Sequence, residues 1–110
     1  MSHPLLIQLA HDSILEVLQS KNSIDKESLL KEYPLLEEMV PMTLKIFLNN
    51  ELRGYYENMA HLCVVDAIII GAKKAAFEDK NFEPLTLSEY FEIEIEIALQ
   101  TAEGVISHRA

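Results

Sequence analysis

The chain has 110 residues, with 18 acidic and 9 basic side chains and a net charge of −9. That length holds one domain with one modest core. The acidic balance builds no basic field for a phosphate backbone or an anionic bilayer, so neither nucleic acid nor a membrane is expected as partner.

Residues 4–20 read as an amphipathic helix. Pro4 suits its first turn, and Leu6, Leu9, Ala10, Ile14, Val17 and Leu18 recur near the 3.6-residue period. Ser23 is placed to cap a short second helix over residues 24–33, with Leu29, Leu30 and Tyr33 facing the core. Pro34 ends it, because a residue before proline is pushed out of the α region. Residues 35–41 read as a turn or irregular segment.

Met42 to Leu48 alternates with the two-residue period of a strand, and Glu51 to Tyr56 reads as the returning strand of a hairpin. A three-residue loop with Asn50 left-handed puts Leu44 and Ile46 on one face with Leu52, Gly54 and Tyr56. Arg53 and Tyr55 then share the other face with Thr43, Lys45 and Phe47. Residues 58–79 carry the longest helical pattern, with Asn58 as cap. Residues 82–86 form a connector and 87–90 a single helical turn. Phe91 to Leu99 alternates Ile93, Ile95, Ile97 and Leu99 against Glu92, Glu94 and Glu96, the pattern of a half-buried strand, and a further strand can start at Val105. The expected class is α+β: an antiparallel or mixed sheet, made of hairpin 42–56 and strand 91–100, packed against helices near 4–20, 24–33 and 58–79.

The single cysteine, Cys63, forbids an intrachain disulfide and fits a reducing cytoplasm. The N-terminus lacks the basic region of a signal peptide. No zinc spacing, phosphate loop or dinucleotide fingerprint is present, and neither a cofactor nor a metal is expected. The carboxylates of Glu92, Glu94 and Glu96 stand about 7 Å apart along one strand, the arrangement of a solvated face rather than a cation cage. His61 and Cys63 are two positions apart on a helical reading and face different ways, so they make no nucleophile–base pair. His11 reads as a surface residue and Cys63 as a small buried one. Arg53 stands out as one of two arginines, set in a strand beside Gly54, Tyr55 and Tyr56. Its guanidinium is suited to gripping a carboxylate or phosphate with two nitrogens, or to an internal salt bridge.

Residues 42–99 resemble the AMMECR-type domain, also called AmmeMemoRadiSam system protein A. The resemblance rests on Leu52-Arg53-Gly54, on Ala75-Ala76-Phe77-Glu78-Asp79 followed by Phe82-Glu83-Pro84-Leu85, and on Ile93-Glu94-Ile95-Glu96-Ile97, in order and correctly spaced. The chain diverges where the family has a cysteine: Tyr55 stands there, so thiol chemistry at that position is absent. The family domain also extends beyond residue 110. The resemblance implies an α+β fold, a single shortened domain over 1–110, and a link to the metabolism of Memo-type and radical-SAM proteins. It implies recognition of a substrate or partner by the arginine-containing segment. Two functions follow as expectations. The first is a non-catalytic domain binding a partner or small ligand through Arg53, Gly54, Tyr55 and Tyr56. The second is an enzyme on a small anionic substrate, with Arg53 as anion clamp and Tyr55 or a nearby acid as proton carrier. A shortened sheet exposes an edge, so a homodimer is expected.

Overall fold

The computed structural model describes residues 5–110; Pro4 lies outside them. The elements run α1 (Leu5–Gln19), α2 (Lys26–Glu32), a 3-10 turn (Pro34–Glu37), β1 (Met42–Leu48), β2 (Glu51–Asn58), α3 (Val64–Phe77), α4 (Leu87–Tyr90), β3 (Ile93–Thr101) and β4 (Gly104–Arg109). The strands form one antiparallel sheet in the order β2-β1-β3-β4. The α+β expectation holds, and the strand suggested at Val105 is β4.

The core lies between one face of the sheet and the layer of α1 and α3. Leu44 and Ile46 of β1 and Ile95 and Ile97 of β3 point inward and are fully buried. They meet Val65, Ile68, Ala72 and Ala75 of α3 and Ile7, Ala10 and Ile14 of α1. Small residues on α3 let the backbones approach closely. A Cβ on Gly54 would sit 2.3 Å from the Ala75 carbonyl oxygen, and one on Gly71 would sit 2.4 Å from the Tyr56 ring. Helix and strand therefore touch at two glycines, β2 backbone on α3 backbone at Gly54 and the Tyr56 ring on α3 backbone at Gly71.

Glu16 fastens this layer from within. It is nearly buried, and its carboxylate accepts from Ser23 N and Ile24 N at 2.7 and 2.9 Å and from Lys73 Nζ at 2.9 Å. One carboxylate thus ties α1 to α3 and to the loop before α2. Burial opposes its ionisation, but these donors outweigh it and hold its pKa below the usual value.

Several local expectations are corrected. The α2 cap is Asp25, whose carboxylate accepts from Ser28 N at 3.1 Å; Ser23 is committed to Glu16. Tyr33 is exposed rather than core-facing. Helix α3 begins at Val64 rather than near Asn58. Asn58 is the buried last residue of β2, and its side chain bonds His61 N, Leu62 N and Leu62 O, ordering the loop that precedes the helix. A helical reading carried across 58–63 missed that loop, because Leu62 fits the apolar period from outside the helix.

The β1–β2 hairpin differs most from expectation. Its loop has two residues: Asn49 and Asn50 both adopt positive φ, 53° and 65°, the pair that a tight hairpin turn requires. The pairing then slips, from Phe47 opposite Leu52 to Ile46 opposite Gly54, and Arg53 is the extra residue. A two-residue turn plus a bulge brings Gly54 and Tyr56 inward beside Leu44 and Ile46, the same end that the expected three-residue loop served. The two-residue turn costs Leu52 its inward place: it pairs with Phe47 and is exposed.

Candidate functional site

The bulge divides the tetrapeptide Arg53–Tyr56. Gly54 is buried against α3, and Tyr56 points inward over Gly71. Tyr55 pairs with Lys45 and stands on the outer face of the sheet, 39% exposed. Its hydroxyl donates to Glu57 Oε2 at 2.9 Å. Burial, then the Glu57 carboxylate, hold that hydroxyl above its usual pKa, which keeps it protonated and a poor proton carrier near neutrality. The four residues expected to act together thus face three ways.

Arg53 leaves the strand alternation and runs to α4. Its Nε and Nη2 donate to Glu89 Oε2 and Oε1 at 3.2 and 3.1 Å, a two-pronged ion pair. The guanidinium carbon lies 5.8 Å from the centre of the Phe82 ring. Its side chain is 14% exposed, and Nη1 is buried with no protein acceptor. Glu89 is itself held in place. It completes a capping box with Thr86 at the start of α4, its carboxylate accepting from Thr86 N while its own N–H donates to Thr86 Oγ1. The Arg53 hydrogen bonds lower the Glu89 pKa, against burial. The Thr86-x-x-Glu89 spacing was legible in the sequence as a capping box; that its carboxylate would be the acceptor for Arg53 was not.

The chain after α3 also lines the free edge of β2. Asp79 Oδ2 accepts from Tyr55 N at 3.0 Å, closing an edge N–H that would otherwise face outward.

Strand residues on the side away from the helices form an open face. Phe47, Leu52, Tyr55 and Glu57 occupy its β1–β2 half, and Glu94, Glu96, Ala98 and Gln100 line β3. Arg109 of β4 lies 4.1 Å over the Phe47 ring and donates to Glu94 at 3.3 Å. At the other end, Thr43, Glu57, Met59, Ala98 and Val105 line a shallow groove of about 370 Å³. Glu92 precedes β3 and is exposed, so only Glu94 and Glu96 of the expected three-carboxylate row share the strand face. Among the described residues, no three His, Cys, Asp or Glu side chains converge as a metal site.

The remaining single residues are placed otherwise than expected. Cys63 is half-buried immediately before α3, its thiol 3.4 Å from Asp66, which pairs with Lys26. His11 is half-buried, edge-on to Tyr90 at 5.8 Å and 3.4 Å from the Ala110 carbonyl oxygen. No helix among the described residues is long and apolar enough to cross a membrane.

A four-stranded antiparallel sheet with α1 and α3 on one face and the other face open, its first hairpin bulged at an Arg-Gly step, defines a particular class of α+β domain. The chain belongs to the AMMECR1 family, whose model matches residues 7–107. No curated protein matches it. It is similar to the crystal structure of an uncharacterized protein from Pyrococcus horikoshii, with 26% identity and a TM-score of 0.74 over 87% of this chain and 49% of that one. The chain therefore spans about half the length of that relative.

Proposed function

We propose that this protein is a non-catalytic, cytoplasmic interaction domain that binds a protein partner on the open face of its sheet, around Tyr55. The observation that carries the reading is the division made by the bulge: Arg53 is spent on Glu89, while Leu52 and Tyr55 of the same strand are left exposed beside Phe47. An apolar and aromatic strip beside a shallow groove has the make-up of an interface centre. Its surroundings are acidic, with Glu57, Glu94 and Glu96 against Lys45 and Arg109, in a chain of net charge −9. The complementary partner presents an apolar contact surface rimmed by basic residues.

The second reading, an enzyme with Arg53 as anion clamp, has one observation in its favour. Nη1 of Arg53 is without a protein acceptor. It is opposed by the commitment of Nε and Nη2 to Glu89, which neutralises the guanidinium, and by the burial of Nη1, which keeps a substrate in solvent from reaching it.

The test places a photoreactive residue at Leu52 on the open face or at Ile70 on the exposed side of α3. Cross-links form from position 52 and not from 70. The captured protein, identified and purified, binds wild type and loses at least tenfold in affinity for Tyr55→Ala, on the order of 1.4 kcal/mol. Cross-linking from position 70 alone, or equal binding by Tyr55→Ala, overturns the reading.

A further inference from the structure

The sheet has two edges, and they are treated differently. The β2 edge is closed three times over: by the bulge at Arg53, by the Arg53–Glu89 pair, and by Asp79 on the Tyr55 N–H. Glu51 and Glu57 add negative charge there. Among the described residues, the β4 edge has none of these. It is regular from Gly104 to Arg109 and carries no acidic side chain over 104–110, in a chain with 18 acids. Val105 is 67% exposed and Ile106 46% exposed.

The backbone groups free on that edge follow from the ladder. Ile95 and Ala110 exchange both hydrogen bonds, Ile95 N to Ala110 O and Ala110 N to Ile95 O. In an antiparallel ladder such pairs alternate, so Gly104, Ile106 and His108 turn their N–H and C=O groups toward β3. Val105, Ser107 and Arg109 turn theirs outward.

We propose that β4 pairs with β4 of a second copy of this chain, antiparallel about a twofold axis at Ser107, doubling the four-stranded sheet. Four features select a second copy. The outward triad Val105, Ser107, Arg109 is spaced symmetrically about Ser107, so one register satisfies every free backbone group on both strands. In that register Val105 faces Arg109 of the other copy and Ser107 faces itself, so no like charges meet. On the helix side, Ile106 faces the imidazole of the other copy's His108, which covers exposed apolar surface. Two chains of net charge −9 repel over most of their surfaces, and the edge without acidic side chains is where that repulsion is weakest. The strip of Phe47, Leu52 and Tyr55 stays uncovered, and Val105 lines both the seam and the groove beside that strip.

The test combines solution mass with amide exchange and a charge pair. Light scattering at micromolar to submillimolar concentration gives twice the chain mass of 12.5 kDa. The Val105, Ser107 and Arg109 amides exchange slowly. Ser107→Pro removes an outward N–H that the β3 ladder does not use, and yields a monomer whose Ile106 and His108 amides remain protected. Val105→Lys sets a cation opposite Arg109 and weakens the dimer, whereas Val105→Glu strengthens it. The two dissociation constants differ by about tenfold, because the twofold axis counts the pair twice. A monomer throughout, a dimer with rapidly exchanging β4 amides, or equal dimerisation of the two Val105 variants overturns the proposal.

Discussion

Arg53 and Glu89, 36 positions apart in sequence, meet with two parallel hydrogen bonds of 3.2 and 3.1 Å. The pair joins the bulge of β2 to the capping box of α4, so one contact fixes both the strand register and the segment that covers its edge. With both side chains shielded, loss of one partner strands the other charge. Arg53→Ala and Glu89→Ala each destabilise the fold by about 2 kcal/mol. A double-mutant cycle by urea denaturation gives a coupling above 1 kcal/mol, because the second substitution adds little once the pair is broken.

Glu16 governs the acid limit of stability. Its folded pKa lies below the ordinary 4.5, so the unfolded chain binds its proton first as pH falls. The contribution is complete above the ordinary value and is lost as pH drops through the folded pKa. Glu89 and Asp66 are shifted the same way, by Arg53 and Lys26 respectively. Stability measured from pH 7 downward therefore holds steady and then falls below pH 4.5. Glu16→Gln lowers the plateau by about 2 kcal/mol and makes the fall shallower. An unchanged acid limb in Glu16→Gln assigns the acid sensitivity elsewhere.

Gly54 and Gly71 mark the close approach of β2 and α3, but their neighbours differ in kind. The atom facing Gly54 is the Ala75 carbonyl oxygen, which moves only with the helix; the atoms facing Gly71 belong to the Tyr56 ring. Gly54→Ala costs about 3 kcal/mol and Gly71→Ala less, since a ring can tilt. Trimming Tyr56 to Leu relieves Gly71→Ala and leaves Gly54→Ala unrelieved. Thermal denaturation of the four variants checks the order.

Asp79 acts as a plug on the β2 edge. Asp79→Ala frees the Tyr55 N–H, and its amide exchange accelerates while global stability changes by less than about 1 kcal/mol. Asp79→Asn retains an acceptor oxygen and largely retains protection.

Much of the fold was legible in the residues because its signals are periodic. The Ile93–Ile97 alternation, the helical stripe of α1 and the Pro34 stop each act over a few neighbours. The α3 start was not legible, since Asn58 caps a loop through Leu62 with the same residue type that caps a helix. The bulge was half legible: the apolar faces demanded one extra residue in the hairpin, and a longer turn or a bulge supplies it equally well. Asn49-Asn50 favoured the tight turn, and Arg53 became the extra residue. The site was least legible. That Arg53 would meet Glu89 depends on the path of residues 78–89 along the sheet edge, which no local pattern encodes. An internal ion pair among eighteen acids was foreseeable in kind and not in partner.

The proposed division of labour along β2 gives Arg53 to the fold and Tyr55 to the partner. Parallel measurement of melting temperature and of cross-linking from position 52, in Arg53→Ala and Tyr55→Ala backgrounds, tests it most directly. Arg53→Ala should lower the melting temperature by several degrees and, below that temperature, still cross-link; Tyr55→Ala should melt like wild type and lose the cross-link. Loss of the cross-link in a folded Arg53→Ala protein, with retention in Tyr55→Ala, contradicts the account.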